Sequence, residues 1–171
     1  QSLKSNTHQW ELRKHFHDSL EYHAKGFFIV SPQNINIASS RDNNLGVPNQ
    51  FFVSEPSLLD KVMKGNQIII PPTHSDVPLL DGQGKLVESY PTMFIGAPIK
   101  NKAGAIIAAL LVRFDPSNVF SRVAKYIRTG KTGETYLFDR QAKMLSGSRF
   151  NENLVTLGLL EPGQESPLNV D

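Results

Sequence analysis

The stretch MFIGAPIKNKAGAIIAALLVRFDP, residues 93–116, places two apolar segments on either side of a polar turn. Residues 93–100 and 105–114 are predicted strands, and the turn 101–104 joins them with Gly104 at its end. Asp115 and Pro116 then begin a helix that is predicted to reach about Arg128. The apolar run 105–112 is far shorter than the roughly 20 residues of a membrane-spanning helix. This stretch therefore predicts a central antiparallel hairpin with a buried second strand.

The segments on either side of this hairpin predict an α+β fold. Leu12, Phe16 and Leu20 recur every four residues and give the helix 3–25 one apolar stripe, with Gly26 as its C-cap. The other expected elements are strands at 27–30 and 35–39, a short helix at 58–63 and a strand at 67–70 that ends at Pro71-Pro72. Tight turns between strands favour an antiparallel sheet with helices on one face. The predicted fold class is α/β (α+β), with a PAS-like antiparallel sheet of about five strands, a long N-terminal helix and flanking helices.

The sequence also contains an internal repeat. Residues 26–43 read GFFIVSPQNINIASSRDN and residues 134–151 read ETYLFDRQAKMLSGSRFN, so a shift of 108 places Arg41 on Arg149. A repeat of this length indicates tandem domains, although any two β-hairpins share alternation. The expected boundaries are 1–129 for a complete lobe and 130–171 for the start of a truncated second lobe. Its strands are expected to fray, to pair with the first sheet or to pair with another chain, because unpaired edges attract partners.

Composition excludes several classes of protein. The 18 basic and 16 acidic residues nearly balance, and no basic block is present, so nucleic acid is not an expected partner. Cysteine is absent, which excludes disulfide and thiolate chemistry. The sequence begins at Gln1 with neither Met nor a signal peptide, and it is expected to be part of a longer protein.

Four stretches resemble the Cache family of extracytoplasmic sensor domains, and they span most of the chain. They are FFIVSPQNINIASSRDNNLG, PPTHSDVPL, MFIGAPIKNKAGAIIAALLVRFDP and GKTGETYLFDRQAKMLSGSRF. The resemblance implies the membrane-distal lobe of a double Cache domain in a bacterial receptor, located outside the cytoplasmic membrane between two transmembrane helices. Such domains belong to histidine kinases of two-component systems, nucleotide or cyclic-di-nucleotide cyclases and chemoreceptors. The amino-acid-binding branch carries an Arg-x-x-Trp motif that is missing here, since the single Trp is Trp10. A free α-amino acid ligand is therefore not expected.

Three motifs suggest catalysis or metal binding, and none has the required context. Gly130-Lys131-Thr132 lacks the earlier glycine and the strand–loop–helix setting of a phosphate-binding loop. His74-Ser75-Asp76 contains the residue types of a hydrolytic triad, but adjacent loop residues cannot converge as a triad does. The four histidines of the first helix lack metal-ligand spacing apart from His17 with Glu21. No catalytic residue, metal ion or cofactor is predicted, and the chain is not expected to be an enzyme.

Seven residues are candidates for ligand binding. Arg41 follows a strand, and its guanidinium could hold an anion through two parallel bonds, whereas the alternative is a structural salt bridge to Asp42 or Asp76. The loop His74, Ser75 and Asp76 either lines a pocket or caps backbone groups of its own turn. The remaining three candidates lead into or lie on the central strand, and they are Tyr90, Thr92 and Phe94.

The sequence therefore predicts a periplasmic ligand-sensing domain of a transmembrane receptor. It would bind a small molecule, with an anion favoured, and pass the signal through a homodimer packed along the N-terminal helix. The alternative is a dimerisation or partner-binding module that takes no small ligand.

Overall fold

The computed structural model describes residues 2–20, 24–75, 78–80, 84–126, 133–164 and 166–170. It divides into two compact units. The first consists of Gln1–Ile70 with Phe94–Phe114, and the second of Pro71–Met93 with Asp115–Asp171.

The principal sheet has five strands in the order β2-β1-β7-β6-β3, and it is antiparallel and PAS-like, which confirms the predicted fold class. The strands are β1 (Gly26–Val30), β2 (Asn36–Ser39), β3 (Ile68–His74), β4 (Leu79–Leu80), β5 (Leu86–Val87), β6 (Pro91–Lys100) and β7 (Ile106–Phe114). The short pair β4-β5 forms a separate two-stranded sheet. The helices are α1 (Thr7–Leu20), α2 (Gln50–Ser54), α3 (Pro56–Met63), α4 (Pro116–Tyr126) and α5 (Asn151–Thr156).

The turn between β6 and β7 is the one that the sequence predicts. The amide of Asn101 donates to the carbonyl of Ala105, and the Asn101 side chain accepts from the amides of Ala103 and Ala105, each at 3.0 Å. Gly104 has φ +83°, a value that glycine adopts without steric cost. This hairpin places β7 beside β1, where Phe28 pairs with Leu111.

The main core lies between one face of the sheet and the helices α2 and α3. Its fully buried side chains include Val30, Phe52, Val62, Phe94 and Leu111. Phe94 contacts Phe51 at a ring-centroid distance of 4.5 Å. Burial of these aromatic rings supplies the largest apolar contribution to this part of the fold.

The opposite face of the sheet carries α1, so the expectation of helices on one face is wrong. Phe16 packs against Phe27 with ring centroids 5.0 Å apart, while Phe28 points into the main core. Two consecutive aromatic residues on a strand make both faces apolar, since successive side chains alternate.

The predicted helix 3–25 is interrupted at Asn6. A 3-10 turn spans Leu3–Ser5, and α1 then begins at Thr7, with the Asn6 carboxamide accepting from the His8 amide at 2.9 Å as an N-cap. Gly26 is the first residue of β1 and not a C-cap of this helix. Among the described side chains of α1, the buried one is polar, since Gln9 is 5% exposed whereas Leu12 is 36% exposed.

Two further differences concern the middle of the chain. Strand β3 continues through Pro71 and Pro72, where the sequence predicts an end. It is an edge strand, and adjacent backbone nitrogens point to opposite sides, so the proline whose nitrogen faces outward costs no ladder bond. Helix α2 and the strands β4 and β5 lie in segments for which the sequence predicted no helix or strand.

The two copies of the repeat fold as matching hairpins. In the first, Val30 lies opposite Asn36, and in the second, 108 positions later, Phe138 lies opposite Met144. Both turns close with the same backbone bond, from the Ser31 amide to the Ile35 carbonyl at 2.8 Å and from the Asp139 amide to the Lys143 carbonyl at 3.0 Å. Asn34 and Ala142 hold the same turn position with φ of 59° and 65°. The sequence shift of 108 residues is thus a structural equivalence.

Residues 168–170 pair with the second strand of the second hairpin. The strand of Met144 therefore does not show any of the three expected outcomes, which were fraying, pairing with the first sheet and pairing with another chain. The Met144 amide donates to the Val170 carbonyl at 2.9 Å, and the Leu168 amide donates to the Met144 carbonyl at 2.7 Å. In the first hairpin, Asn36 makes the corresponding bonds with Val47 and Gly46. A third segment thus pairs with the second strand of each copy.

Candidate functional site

Arg41 lies at the corner where β2 leaves the sheet. It precedes a 3-10 turn, Asp42–Asn44, and its amide donates to the Ser39 hydroxyl at 3.2 Å. Arg41 is half-buried. Asp42, one of its two expected partners, forms an ion pair with Arg13 at 2.7 Å. The other, Asp76, lies outside the described residues.

The corner beside Arg41 is attached to α1. Gln9 donates to the Ile37 carbonyl at 2.6 Å, and the Arg13 guanidinium donates to the Ser39 carbonyl at 2.8 Å. Gln9 and Arg13 are four residues apart and share one face of the helix. They therefore bind two alternate carbonyls of the edge strand β2, and a movement of this corner would be transmitted directly to α1.

The structure brings His74, Ser75 and Tyr90 together in the second unit. The His74 imidazole donates through Nδ1 to the Ser89 carbonyl at 2.8 Å, and the Ser75 amide donates to the Tyr90 carbonyl at 2.9 Å. His74 is exposed, whereas Ser75 and Tyr90 are each 6% exposed. The predicted loop residues thus lie beside the beginning of β6.

Asp115 completes this group, and the sequence reading assigned it only a capping role. Its carboxylate accepts from the Tyr90 hydroxyl at 2.8 Å and from the side-chain Nδ2 of Asn118 at 3.2 Å. Asp115 is 5% exposed. A buried carboxylate that accepts two hydrogen bonds is satisfied and fixes the position of the tyrosine ring.

Thr92 and Phe94 are both buried, in different units. Thr92 is 1% exposed and lies two residues after Tyr90 on β6. Phe94 is fully buried in the core cluster of the first unit. The structure thus places Phe94 among core side chains, while Thr92 adds a buried hydroxyl to the beginning of β6.

Arg113 is a buried cation that was not among the predicted site residues. It is 5% exposed, and its guanidinium carbon lies 5.0 Å from the ring centroid of Phe94 and 5.9 Å from that of Phe28. Both distances lie within the range of a cation–π contact. Alternation along β7 was the available signal, because Arg113 shares its face with the buried residues Ala109 and Leu111.

A second polar group belongs to the second hairpin. The Ser148 hydroxyl and the Arg149 amide donate to the Glu134 carboxylate at 3.0 and 2.8 Å. Partial burial raises the pKa of Glu134, but hydrogen bonds from Arg149, Tyr136 and Ser148 and the charge of Arg149 hold the pKa below its usual value. Burial, together with the Glu134 carboxylate, raises the pKa of Tyr136. In the first copy the place of Glu134 is taken by Gly26, where an added Cβ would lie 2.8 Å from the Ser40 hydroxyl.

Each unit contains a concave surface. In the first, a cleft of about 230 Å³ lies between α1 and the sheet and is lined by Leu12, His15, Phe16, Phe27, Ile29, Ile99, Leu110 and Val112. In the second, an open depression of about 600 Å³ is lined mainly by residues 155–164, with Lys143, Leu168 and Asn169 at its edge. The cleft is apolar, and the depression combines charged, amide and apolar side chains.

The described part of the chain contains neither a metal-binding cluster nor a membrane-spanning helix. It contains no group of three or more His, Cys, Asp or Glu side chains that could hold a metal ion. None of its helices has the length and hydropathy of a membrane span.

Several solved structures of other proteins are similar to this chain. The ligand-binding domain of the Campylobacter jejuni chemoreceptor Tlp3, in complex with L-valine, matches 89% of this chain and 54% of its own at 17% identity with a TM-score of 0.51. The periplasmic domain of RsbU from Chlamydia trachomatis has a TM-score of 0.49 at 16% identity, and the match covers 79% of this chain and 45% of its own. The Vibrio cholerae VqmA–ligand–DNA complex has a TM-score of 0.46 at 12% identity, and the match covers 71% of this chain and 60% of its own.

Of these three matches, the Tlp3 match alone exceeds a TM-score of 0.5, and at 17% identity it shows the fold and nothing further. The chain spans about half the length of the Tlp3 and RsbU structures. No protein-family model matches the sequence, and no curated protein matches it. The chain is an α+β protein with a PAS-like fold, similar to about half of the Tlp3 structure.

Proposed function

We propose that the chain is the extracytoplasmic ligand-sensing domain of a transmembrane signalling receptor, of the histidine kinase or cyclase type. The observation that supports this proposal most strongly is the fold match to the Tlp3 domain, a structure that contains L-valine. The periplasmic location, the Cache assignment and the lobe boundaries 1–129 and 130–171 belong to this proposal. The resemblance of the four sequence stretches supports them.

The ligand of this proposal is a small anion or another polar metabolite. A small number of polar side chains within largely apolar surroundings is typical of a ligand site. Arg113, Thr92 and Ser75 are such side chains, and Arg41 is half-buried at the β2 corner. The ligand contacts proposed from the sequence are Arg41, His74, Ser75, Asp76, Tyr90, Thr92 and Phe94, and Arg113 is added to them.

The signal would leave the first unit through α1. Ligand can bias a receptor only by binding one of two arrangements more tightly. The bonds of Gln9 and Arg13 to β2 provide the connection, because the corner that carries Arg41 cannot shift without breaking or moving them.

A thermal-shift screen tests the proposal. The wild-type chain is screened against carboxylates, amines and nucleobases, and each hit is repeated with Arg41→Ala and Arg113→Met. Arg113→Met keeps an apolar stem over Phe94 and removes the charge. We expect at least one compound to raise the melting temperature and one of the two variants to lose the shift, while Lys102→Ala keeps it. If no compound stabilises the wild-type chain, the ligand-sensing proposal is wrong.

The alternative function is a dimerisation or partner-binding module without a small ligand, with contact along α1. The observation that favours it is the exposure of α1, since Trp10 is 66% exposed and carries Lys14 5.4 Å from its ring centroid. Aromatic rings that face solvent are typical of interaction surfaces. Under this alternative Trp10→Ala abolishes self-association, and the ligand screen gives no hit.

A further inference from the structure

Three asparagines are joined by hydrogen bonds beside the turn of the first hairpin. The Asn49 carboxamide nitrogen donates to the Asn36 carboxamide oxygen at 3.0 Å, and the Asn34 carboxamide nitrogen donates to the Asn49 carbonyl at 3.3 Å. The Asn49 amide also donates to the Asn34 carbonyl at 3.3 Å. Asn36 and Asn49 are 3% and 2% exposed, and Asn34 is half-buried. These three residues, the asparagine group, thus form one connected polar network.

Two oxygen atoms of the asparagine group accept no hydrogen bond from the described residues. They are Oδ1 of Asn34 and Oδ1 of Asn49, and both are buried. The orientation of these carboxamides is fixed, because reversing either one would bring its oxygen against another acceptor, the Asn49 carbonyl or the Asn36 Oδ1. A buried acceptor without a donor is destabilising, and native proteins contain few of them. The two oxygens therefore indicate a bound molecule that supplies the donors.

The position of Asn49 in the chain offers its side chain a different bond. Asn49 is the N-cap residue of α2, where an asparagine side chain commonly accepts from an amide of the first helical turn. It makes no such bond, and its carboxamide donates to Asn36 instead. Helix capping therefore does not explain the asparagine at this position.

The second copy of the repeat has the same backbone without these side chains. Ala142 takes the place of Asn34, with φ of 65° against 59°, and Met144 takes the place of Asn36. A third segment pairs with Met144 as one does with Asn36. Because the turn and this pairing form with alanine and methionine, the backbone of the hairpin does not require asparagine at either position. The asparagines of the first copy are thus available for another role.

The asparagine group borders the main core of the first unit. Asn36 lies opposite Val30, which belongs to the core cluster, and Phe52 of the same cluster lies in α2, three residues after Asn49. A few polar groups at the margin of a largely apolar region are typical of a small-molecule site, because the polar groups fix the orientation of the ligand.

We propose that Asn34 and Asn49 accept hydrogen bonds from a small neutral molecule that carries hydroxyl or amide N–H groups. The described residues that bond to the asparagine group include no acidic side chain, so an ammonium group would be buried there without an opposite charge. A polyol, a sugar or a carboxamide supplies donors without that cost. This inference rests on the ligand-sensing proposal and names the chemical class that the ligand presents to this part of the first unit.

Two-dimensional NMR of the Asn34 and Asn49 side-chain carboxamides tests this subsite on the wild-type chain. The probes are glycerol, ribose, glucose, acetamide and nicotinamide, and the comparison set is acetate, succinate and ethylamine. We expect at least one neutral probe to shift both carboxamide signals. The signals are assigned by their loss in Asn34→Gly, which suits the positive φ, and in Asn49→Ser, which keeps an N-cap oxygen.

The same two variants measure the contribution of the side chains to affinity. Each should raise the Kd of the bound neutral probe by at least about tenfold. Asn66→Ser is the matched control, because Asn66 is exposed in the same unit, and it should leave this Kd unchanged. Equal Kd values for all three variants would overturn the proposal.

The wild-type titration separates a failure of this subsite from a failure of ligand sensing. A carboxylate or amine that shifts backbone amides while both carboxamide signals stay unchanged would overturn the subsite and leave ligand sensing in place. Carboxamide signals that move with charged probes alone, or that show a bound water which no probe displaces, would overturn the subsite as well. If no probe of either set shifts any signal, both proposals are contradicted.

Discussion

The Arg13 guanidinium on α1 donates to the Asp42 carboxylate at 2.7 Å, and through Nε it also donates to the Ser39 carbonyl at 2.8 Å. One side chain thus connects the helix to both the end of β2 and the turn that follows it. The pair with Asp42 is partly exposed, so the bond to the carbonyl should contribute more to stability.

Arg13→Ala should lower the free energy of unfolding by about 1–2 kcal/mol, because it leaves the Ser39 carbonyl without this donor. Asp42→Asn should cost less than about 1 kcal/mol, as expected of an exposed ion pair. Urea unfolding measures both values, and Lys14→Ala serves as the control on the exposed face. If Asp42→Asn costs as much as Arg13→Ala, the helix is held by the ion pair and not by the carbonyl bond.

Gly96→Ala should destabilise the chain through the core and not through the backbone. A Cβ at this position would lie 2.6 Å from Ile68 Cγ1 and 2.8 Å from Leu111 Cδ2. Overpacking of this kind costs about 1–3 kcal/mol. Ala105→Val, at an exposed position of the adjoining turn, is the control. Urea midpoints that are equal for Gly96→Ala and wild type would show that β6 and its neighbours move apart freely.

Leu110→Phe should stabilise the first unit by about 0.5–2 kcal/mol, because the added ring fills part of the apolar cleft beside α1. Ile107→Phe, three residues away in sequence at a 49% exposed position, should have little effect. Thermal unfolding measures both changes. A loss of stability in Leu110→Phe would show that α1 already closes on the sheet.

The second hairpin should weaken in acid. A carboxyl whose folded pKa lies below its unfolded value contributes stability above the unfolded pKa, about 4.3, and this contribution is lost as the pH falls through the folded pKa. Glu134 is such a group. The protection factor of the Arg149 amide, which donates to this carboxylate, should therefore fall below about pH 4.

Glu134→Gln tests the assignment of this acid effect. In this variant the Arg149 amide should be less protected from exchange than in wild type at neutral pH. Its protection factor should also change less on acidification. Glu152→Gln, on exposed α5, should behave as wild type. An unchanged acid dependence in Glu134→Gln would assign the effect to another carboxyl.

The sequence predicts the hairpin β6-β7 and the repeat because both depend on local patterns. Alternating apolar residues on either side of Asn101 and Gly104 specify strands and turn together, and the 108-residue shift predicts matching hairpins. Helix α2 was missed because its five residues, QFFVS, follow Pro48 and Asn49 and are too few to show a helical period. The strands β4 and β5, of two residues each, give no periodic signal at all.

The candidate site was predictable only in part, because its contacts join distant positions. The sequence places His74, Ser75 and Tyr90 near the central strand, but the bond from Tyr90 to Asp115 spans 25 residues and depends on the tertiary fold. Arg113 could have been found, since the alternation of β7 puts it on the buried face. The pairing of residues 168–170 with the second hairpin could not have been predicted, because that segment has no strand pattern of its own.

The most direct test of the central claim is two-dimensional amide NMR of the chain titrated with mixtures of carboxylates, amines and nucleobases at millimolar concentration. A ligand-sensing domain predicts that one mixture shifts the amides of Ser75 and Thr92 or of Arg41 and Arg113, together with that of Arg13 on α1. No shift with any mixture, or shifts confined to exposed side-chain amides, would contradict ligand sensing and favour the partner-binding module.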